Sequence, residues 1–93
     1  MDGEVQMKVE FTIYTRYGKK ASGGILVYKH ANKSGLTPDA LDSNGYAETK
    51  WTDRWRDEKI DVYCHTDGVN SGTAAFAGTV TIKPHSKYEL KCK

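Results

Sequence analysis

A strict alternation of apolar and polar side chains runs through residues 4–16, EVQMKVEFTIYTR, and no other stretch is as long or as regular. The apolar side chains occupy every second position: Val5, Met7, Val9, Phe11 and Ile13. Successive side chains of an extended chain point to opposite faces of a sheet, so this stretch has one buried face and one solvated face. The pattern predicts the strand on which a β-sandwich is assembled.

Shorter runs of strand-forming residues, separated by turn residues, fill the rest of the chain. The predicted strands cover residues 25–30, 46–52, 59–65, 73–76, 79–83 and 87–92. The sequence DSNG at residues 42–45 is the strongest turn signal, because Asn-Gly suits positions that need a positive φ. Residues 37–41 are compatible with a single helical turn that has Thr37 as its N-cap. These features predict an all-β chain that forms an antiparallel β-sandwich of about seven short strands.

The size and charge of the chain restrict its organisation. Ninety-three residues with a net charge of +2 are expected to form one domain, residues 1–93. No apolar run approaches the ~18 residues needed to span a bilayer. The first residues also lack the basic and apolar segments of a signal peptide. The sequence therefore predicts a cytoplasmic protein without a membrane contact, although a mature secreted domain would have the same composition.

The order of the segments resembles that of a known family. A long first strand is followed by GKKASGGILVY, LDSNGYAETKW, KIDVYC and TVTIKPHSKYELKC. This order looks like a transthyretin-like or carboxypeptidase-regulatory-like sandwich, and the resemblance implies an immunoglobulin-like arrangement of strands. The hydrolases of that superfamily use paired His and Arg residues and end in Tyr-Arg-Gly-Ser, whereas this chain has YELKCK at residues 88–93. The resemblance therefore implies the fold and not the activity, and we predict no enzyme.

The two tryptophans differ in their predicted environments. Trp51 falls on the inward face of a predicted strand, where it is expected to be part of the core. Trp55 lies in a charged loop between Arg54 and Arg56, where an exposed indole could stack on a sugar, a base or a partner's side chain. The alternative is that Trp55 folds over the end of the sandwich, with both arginines paired to neighbouring carboxylates. Trp55, Arg54 and Arg56 are the first candidate binding residues.

Tyrosines on predicted outward faces form a second candidate binding surface, which includes Tyr14 and Tyr17. Aromatic side chains with basic neighbours such as Lys8 can form a platform for stacked bases. Glu10, however, shares the strand face with Lys8, and the net charge is small. These features argue against a nucleic-acid partner.

The histidines and cysteines give no metal or catalytic pattern. His30, His65 and His85 lie near predicted strand ends, but the chain has no HxH, CxxC or HExxH spacing. We therefore predict no metal site and no cofactor. Cys64 and Cys92 share the inward parity of their strands, so they are either buried thiols or, in an oxidising compartment, a disulfide.

The predicted sandwich is best suited to partner contact. Sandwiches display loops at both ends and strand edges that accept another strand. We therefore predict a non-catalytic binding or interaction module that contacts a protein partner through loops or an exposed edge strand. Residues 4–16 are long enough to overhang their neighbours, which predicts a homodimer through this first strand. The alternative function is a carbohydrate- or small-ligand-binding domain centred on the Trp55 loop.

Overall fold

The computed structural model describes residues 6–65 and 74–93. In this part of the chain seven strands form two sheets, and a 3-10 turn is the only helical element. The strands are β1 (Gln6–Tyr14), β2 (Ile25–Lys29), β3 (Asp39–Ala40), β4 (Tyr46–Thr52), β5 (Lys59–His65), β6 (Ala75–Thr81) and β7 (Ser86–Lys91), and the 3-10 turn is Asp53–Trp55. The predicted all-β sandwich is confirmed. Residues 37–41 contain β3 instead of the predicted helical turn.

The first sheet has the order β4-β1-β7. β1 pairs antiparallel with β4 from Gln6 to Thr12, and parallel with β7 from Val9 to Tyr14. The prediction that the first strand forms an exposed edge is therefore wrong, because β1 lies between β4 and β7 and is paired on both sides from Val9 to Thr12. A homodimer through β1 would have to break one of these two ladders.

The second sheet has the order β3-β2-β5-β6, and all of its pairs are antiparallel. β6 runs through Gly78 as one strand, although the sequence predicted two segments there. The register against β5 shifts between Val62 and Tyr63, so that Ala77 has no partner. This bulge lets the strand continue past the glycine.

The core lies between the sheets and confirms the predicted burial pattern for the described residues, whereas Val5 lies outside them. The inward side chains of β1 are fully buried, and those of β4 and β5 are nearly so; they are Met7, Val9, Phe11, Ile13, Ala47, Thr49, Trp51, Ile60, Val62 and Cys64. The indole N–H of Trp51 donates to Thr49 Oγ1 at 2.5 Å, and this hydroxyl donates to the carbonyl of Val9 at 3.2 Å. The buried polar side chains of β4 are thus satisfied within the first sheet.

A disulfide between Cys64 and Cys92 joins the two sheets. Cys64 lies in β5, and Cys92 follows β7, so the bond links strands that share no hydrogen bonds. Of the two interpretations that the sequence left open, the structure shows the disulfide. It closes the sandwich on the side where β6 and β7 meet.

Candidate interaction surface

Among the described strands, β3, β4, β6 and β7 lie at sheet edges. Edges that are short, bulged or covered resist the addition of another strand. β3 has two residues, and β6 contains the bulge. β7 is tied to β6, because the Tyr88 hydroxyl donates to the Thr81 carbonyl and the Lys93 N–H donates to the Phe76 carbonyl at 3.3 Å. Within the described residues, β4 is a long edge without these protections, with seven residues in unbroken register.

On its outer side, the backbone of β4 presents hydrogen-bonding groups that have no partner among the described residues. The Ile13 N–H donates to the Gly45 carbonyl at 2.8 Å, which shows that the odd-numbered residues face β1. Because hydrogen bonding alternates along an antiparallel strand, the N–H and C=O groups of the even-numbered residues point away from β1. At Tyr46 both of these groups are bonded to Asp42: the Tyr46 N–H donates to Asp42 Oδ1, and the Tyr46 carbonyl accepts from the Asp42 N–H. Within residues 6–65 and 74–93, no protein group pairs with the outward backbone groups of Glu48 and Lys50.

The solvent face of the first sheet places like charges directly opposite each other. Lys8 of β1 faces Lys50 of β4, and Glu10 faces Glu48. Like charges in this position destabilise a sheet. The Tyr46 hydroxyl donates to Glu10 Oε1 at 2.6 Å, and this hydrogen bond holds the pKa of Glu10 below its usual value. Lys50 makes no ion pair with another described residue.

A groove of about 170 Å³ lies beside the β4 edge. Its walls are the inner side of β4 and the segment that leads into β3, with Leu36, Asp39, Trp51 and Trp55 among the lining residues. The Tyr28 hydroxyl donates to Asp39 Oδ2 at 2.8 Å at this site. Burial and this hydrogen bond both raise the pKa of Tyr28. The groove combines indole surface with a carboxylate, next to the unpaired backbone.

Trp55 is buried, with 6% of its surface exposed. Of the two arrangements that the sequence left open, the structure shows the tryptophan folded over the end of the sandwich and not the exposed indole. Trp55 makes edge-to-face contacts with Trp51 at 5.8 Å and with His30 at 5.7 Å between ring centroids. No local pattern in the sequence indicates this burial, because His30 lies 25 positions away in the chain.

Cations surround the buried indole. The Arg54 guanidinium lies 4.9 Å from the Trp55 ring centroid, and Lys33 Nζ lies 5.5 Å from it. Lys33 also donates to the Arg54 carbonyl at 2.9 Å. Arg56 pairs with Asp53 at 2.6 Å instead of facing the indole. Arg54 and Arg56 therefore stabilise the end of the sandwich, and the structure does not bring them together around an open site.

His30 and Glu58 connect the segment after β2 to the start of β5. His30 Nδ1 accepts hydrogen bonds from the backbone N–H groups of Asn32 and Lys33, both at 3.0 Å. The ring proton therefore lies on Nε2, which donates to Glu58 Oε1 at 2.7 Å. Lys33 Nζ contacts the other carboxylate oxygen at 3.1 Å. The hydrogen bond from His30, followed by that from Lys33, holds the pKa of Glu58 below its ordinary value.

Acidification should weaken the domain through Glu58. Because the pKa of Glu58 is lower in the folded state than in the unfolded state, the ionised carboxylate stabilises the fold at pH values above its ordinary pKa of 4.5. This stabilisation is lost as the pH falls through the folded-state pKa. We expect the Glu58→Gln variant to lose less unfolding free energy than the wild type between pH 7 and pH 3 in urea titrations. Glu89→Gln removes an exposed carboxylate from β7 and is the charge control. Equal losses for the wild type and Glu58→Gln would contradict the assignment.

Tyr14 and Tyr17 lie far from Trp55. Trp55 follows the end of β4 that pairs with Gln6, at the beginning of β1. Tyr14 lies at the opposite end of β1. At a rise of about 3.3 Å per residue, the length of β1 separates the two groups. Tyr17 is 71% exposed, and its hydroxyl accepts a hydrogen bond from Arg16 at 2.7 Å. The five predicted binding residues thus belong to two separate regions.

Comparisons with protein-family models, with curated proteins and with solved structures find no match. Among the described residues, no group of three or more His, Cys, Asp or Glu side chains could hold a metal ion. The same part of the chain contains no helix that is long and apolar enough to cross a membrane.

Proposed function

We propose that this domain is a non-catalytic interaction module that binds an extended segment of a protein partner at the β4 edge. The observation that supports this proposal is that the outward backbone groups of Glu48 and Lys50, on a long and regular edge, pair with no other described residue. An added strand gains main-chain hydrogen bonds from such an edge, and pockets for its alternate side chains give specificity. The transthyretin-like relationship suggested by the sequence stays a prediction.

The groove beside β4 supports the same proposal. Side chains of an added strand would point alternately to the solvent face and to the inner side of the sheet. On the inner side they would reach the groove lined by Leu36, Trp51 and Trp55. Buried aromatic surface beside a main-chain docking edge is a suitable receptor for one apolar side chain of the partner.

Blocking the outward N–H of Lys50 tests the proposal. Proline is tolerated on an edge strand where its missing N–H would have faced outward, so Lys50→Pro should keep the β1–β4 ladder. Peptides selected from a displayed random library should protect the amide protons of Glu48 and Lys50 from exchange. They should bind Lys50→Pro at least about tenfold more weakly, because the main-chain hydrogen bond is lost.

Glu89→Pro is the matched control at the other edge of the same sheet. The Cys92 N–H donates to the Tyr14 carbonyl at 2.9 Å, so the N–H of Glu89 points away from β1, as that of Lys50 does. This variant should bind the selected peptides like the wild type, and thermal unfolding checks that both proline variants are folded. A library without binders, or binders that protect amides away from β4, would overturn the proposal.

Small-ligand binding in the groove is the second candidate function. The pairing of Trp51 and Trp55 with Asp39 and Thr37 at one surface favours it, since such sets bind polar rings. The groove, at about 170 Å³, is smaller than the roughly 300–1,000 Å³ of most ligand pockets. A titration with monosaccharides and nucleotides that follows tryptophan fluorescence distinguishes this candidate from strand addition.

A further inference from the structure

We propose that the segment bound at the β4 edge is β4 of a second copy of this chain, aligned antiparallel about a two-fold axis at Thr49. This inference rests on the proposed function, because it names the partner of the same edge. The two copies would form one continuous sheet of six strands, with the order β7-β1-β4 followed by its symmetric counterpart.

The backbone geometry fits this arrangement. With Thr49 opposite the partner subunit's Thr49, Glu48 lies opposite the partner subunit's Lys50, and Lys50 lies opposite the partner subunit's Glu48. These are the residues whose outward N–H and C=O groups pair with no other described residue. In an antiparallel ladder such residues exchange both hydrogen bonds with the residue they face. Two such pairs form, one on each side of the axis.

The side-chain charges select the same register. Glu48 and Lys50 project from the solvent face of β4, where the pairing places each beside the opposite charge of the partner subunit. A shift that centres the axis on Glu48 or on Lys50 would bring like charges together. Opposite charges directly across two strands stabilise their pairing, and like charges oppose it.

Within one copy, only one of the two β4 charges has an opposite partner among the described residues, because Lys8 Nζ lies 3.9 Å from Glu48 Oε1 whereas Lys50 makes no ion pair. Within one copy, Lys50 faces Lys8, and Glu48 faces Glu10. Like charges directly opposite each other are unfavourable, and self-pairing would give Lys50 its first opposite charge and Glu48 a second one. Tyr46 would then face the partner subunit's Thr52, a cross-strand pair of an aromatic with a β-branched side chain. An unrelated partner segment is not expected to have a Lys and a Glu in the order that complements Glu48 and Lys50.

Charge reversal tests the pairing. Lys50→Glu and Glu48→Lys each place like charges in both symmetric pairs, so each single variant should self-associate at least about tenfold more weakly than the wild type. Neither change should unfold the monomer, because the new carboxylate at position 50 would face Lys8 and the new ammonium at position 48 would face Glu10. The double variant Glu48→Lys/Lys50→Glu should regain wild-type self-association. An equimolar mixture of the two single variants should form a heterodimer.

Sedimentation equilibrium at concentrations up to about 1 mM measures these associations. Lys87→Glu reverses a charge on β7, the other edge of the sheet, and should leave self-association unchanged. A wild type that stays monomeric overturns the inference, as does a dimer that neither single reversal weakens or that the double variant fails to restore. If the wild type is monomeric but selected peptides protect the Glu48 and Lys50 amides, the dimer is excluded and the proposed strand addition stands.

Discussion

The Gly45→Ala variant should lose about 3 kcal/mol of unfolding free energy, among the largest effects expected of a single methyl group in this domain. Gly45 has a φ of +72°, which costs about 1–2 kcal/mol for a residue with a Cβ. The added Cβ would lie 2.7 Å from the Ile13 carbonyl oxygen and 2.9 Å from that of Ala21. These are backbone atoms of the adjoining segments and cannot rotate away. Chemical denaturation of the variant and the wild type measures the difference.

Gly18→Ala separates the two causes. Gly18 has a similar φ of +85°, but an added Cβ would meet no atom within 4 Å. We expect this variant to lose only about 1 kcal/mol, from the backbone conformation alone. Equal losses of unfolding free energy for Gly18→Ala and Gly45→Ala would show that the close approach of Gly45 to β1 contributes nothing to the destabilisation.

Removal of the disulfide should cost about 3.5 kcal/mol. Cys64 and Cys92 are 28 positions apart, and a loop of this length gives that value in the chain-entropy treatment of cross-links. Small domains have unfolding free energies of roughly 5–15 kcal/mol, so the loss is a large fraction of the total. We expect the Cys64→Ala/Cys92→Ala variant to have a lower denaturation midpoint than the wild type.

Reductant provides the control for this prediction. Reducing agent should shift the midpoint of the wild type towards that of the double alanine variant, and it should leave the variant itself unchanged. A wild type whose stability is the same with and without reductant would contradict the predicted contribution of the bond. The alanine variant also reports the small loss of packing around two buried sulfur atoms.

Alternation along the sequence predicted the strands and their buried faces well. β4 and β5 have the predicted bounds, and the inward residues Trp51 and Cys64 are buried as expected. This success has a local cause, because the period of two and the flanking turns depend only on neighbouring residues. The turn before β4 was found for the same reason, since Asn44 and Gly45 are adjacent.

The neighbours of each strand could not be predicted in this way. β1 looked like an edge strand because of its length, but its position depends on β7, which lies more than 70 residues further along the chain. The burial of Trp55 has the same explanation, since its surroundings include His30 and Lys33 from a distant segment. For this reason the candidate site in the structure is the edge of β4, whereas the sequence predicted the loop at Trp55. Alternation predicted only that Glu48 and Lys50 face solvent. That their outward backbone groups have no partner among the described residues depends on the strand order, which alternation does not predict.

The parallel pairing of β1 with β7 has a mechanical consequence. If one copy were pulled at the start of β1 and beyond the end of β7, the two strands would slide along each other in opposite directions. The whole ladder from Val9–Ser86 to Tyr14–Lys91 would then carry the load at once, instead of opening one bond at a time. Forced unfolding depends on the unfolding rate, so the domain should resist stretching along this axis better than peeling at β4.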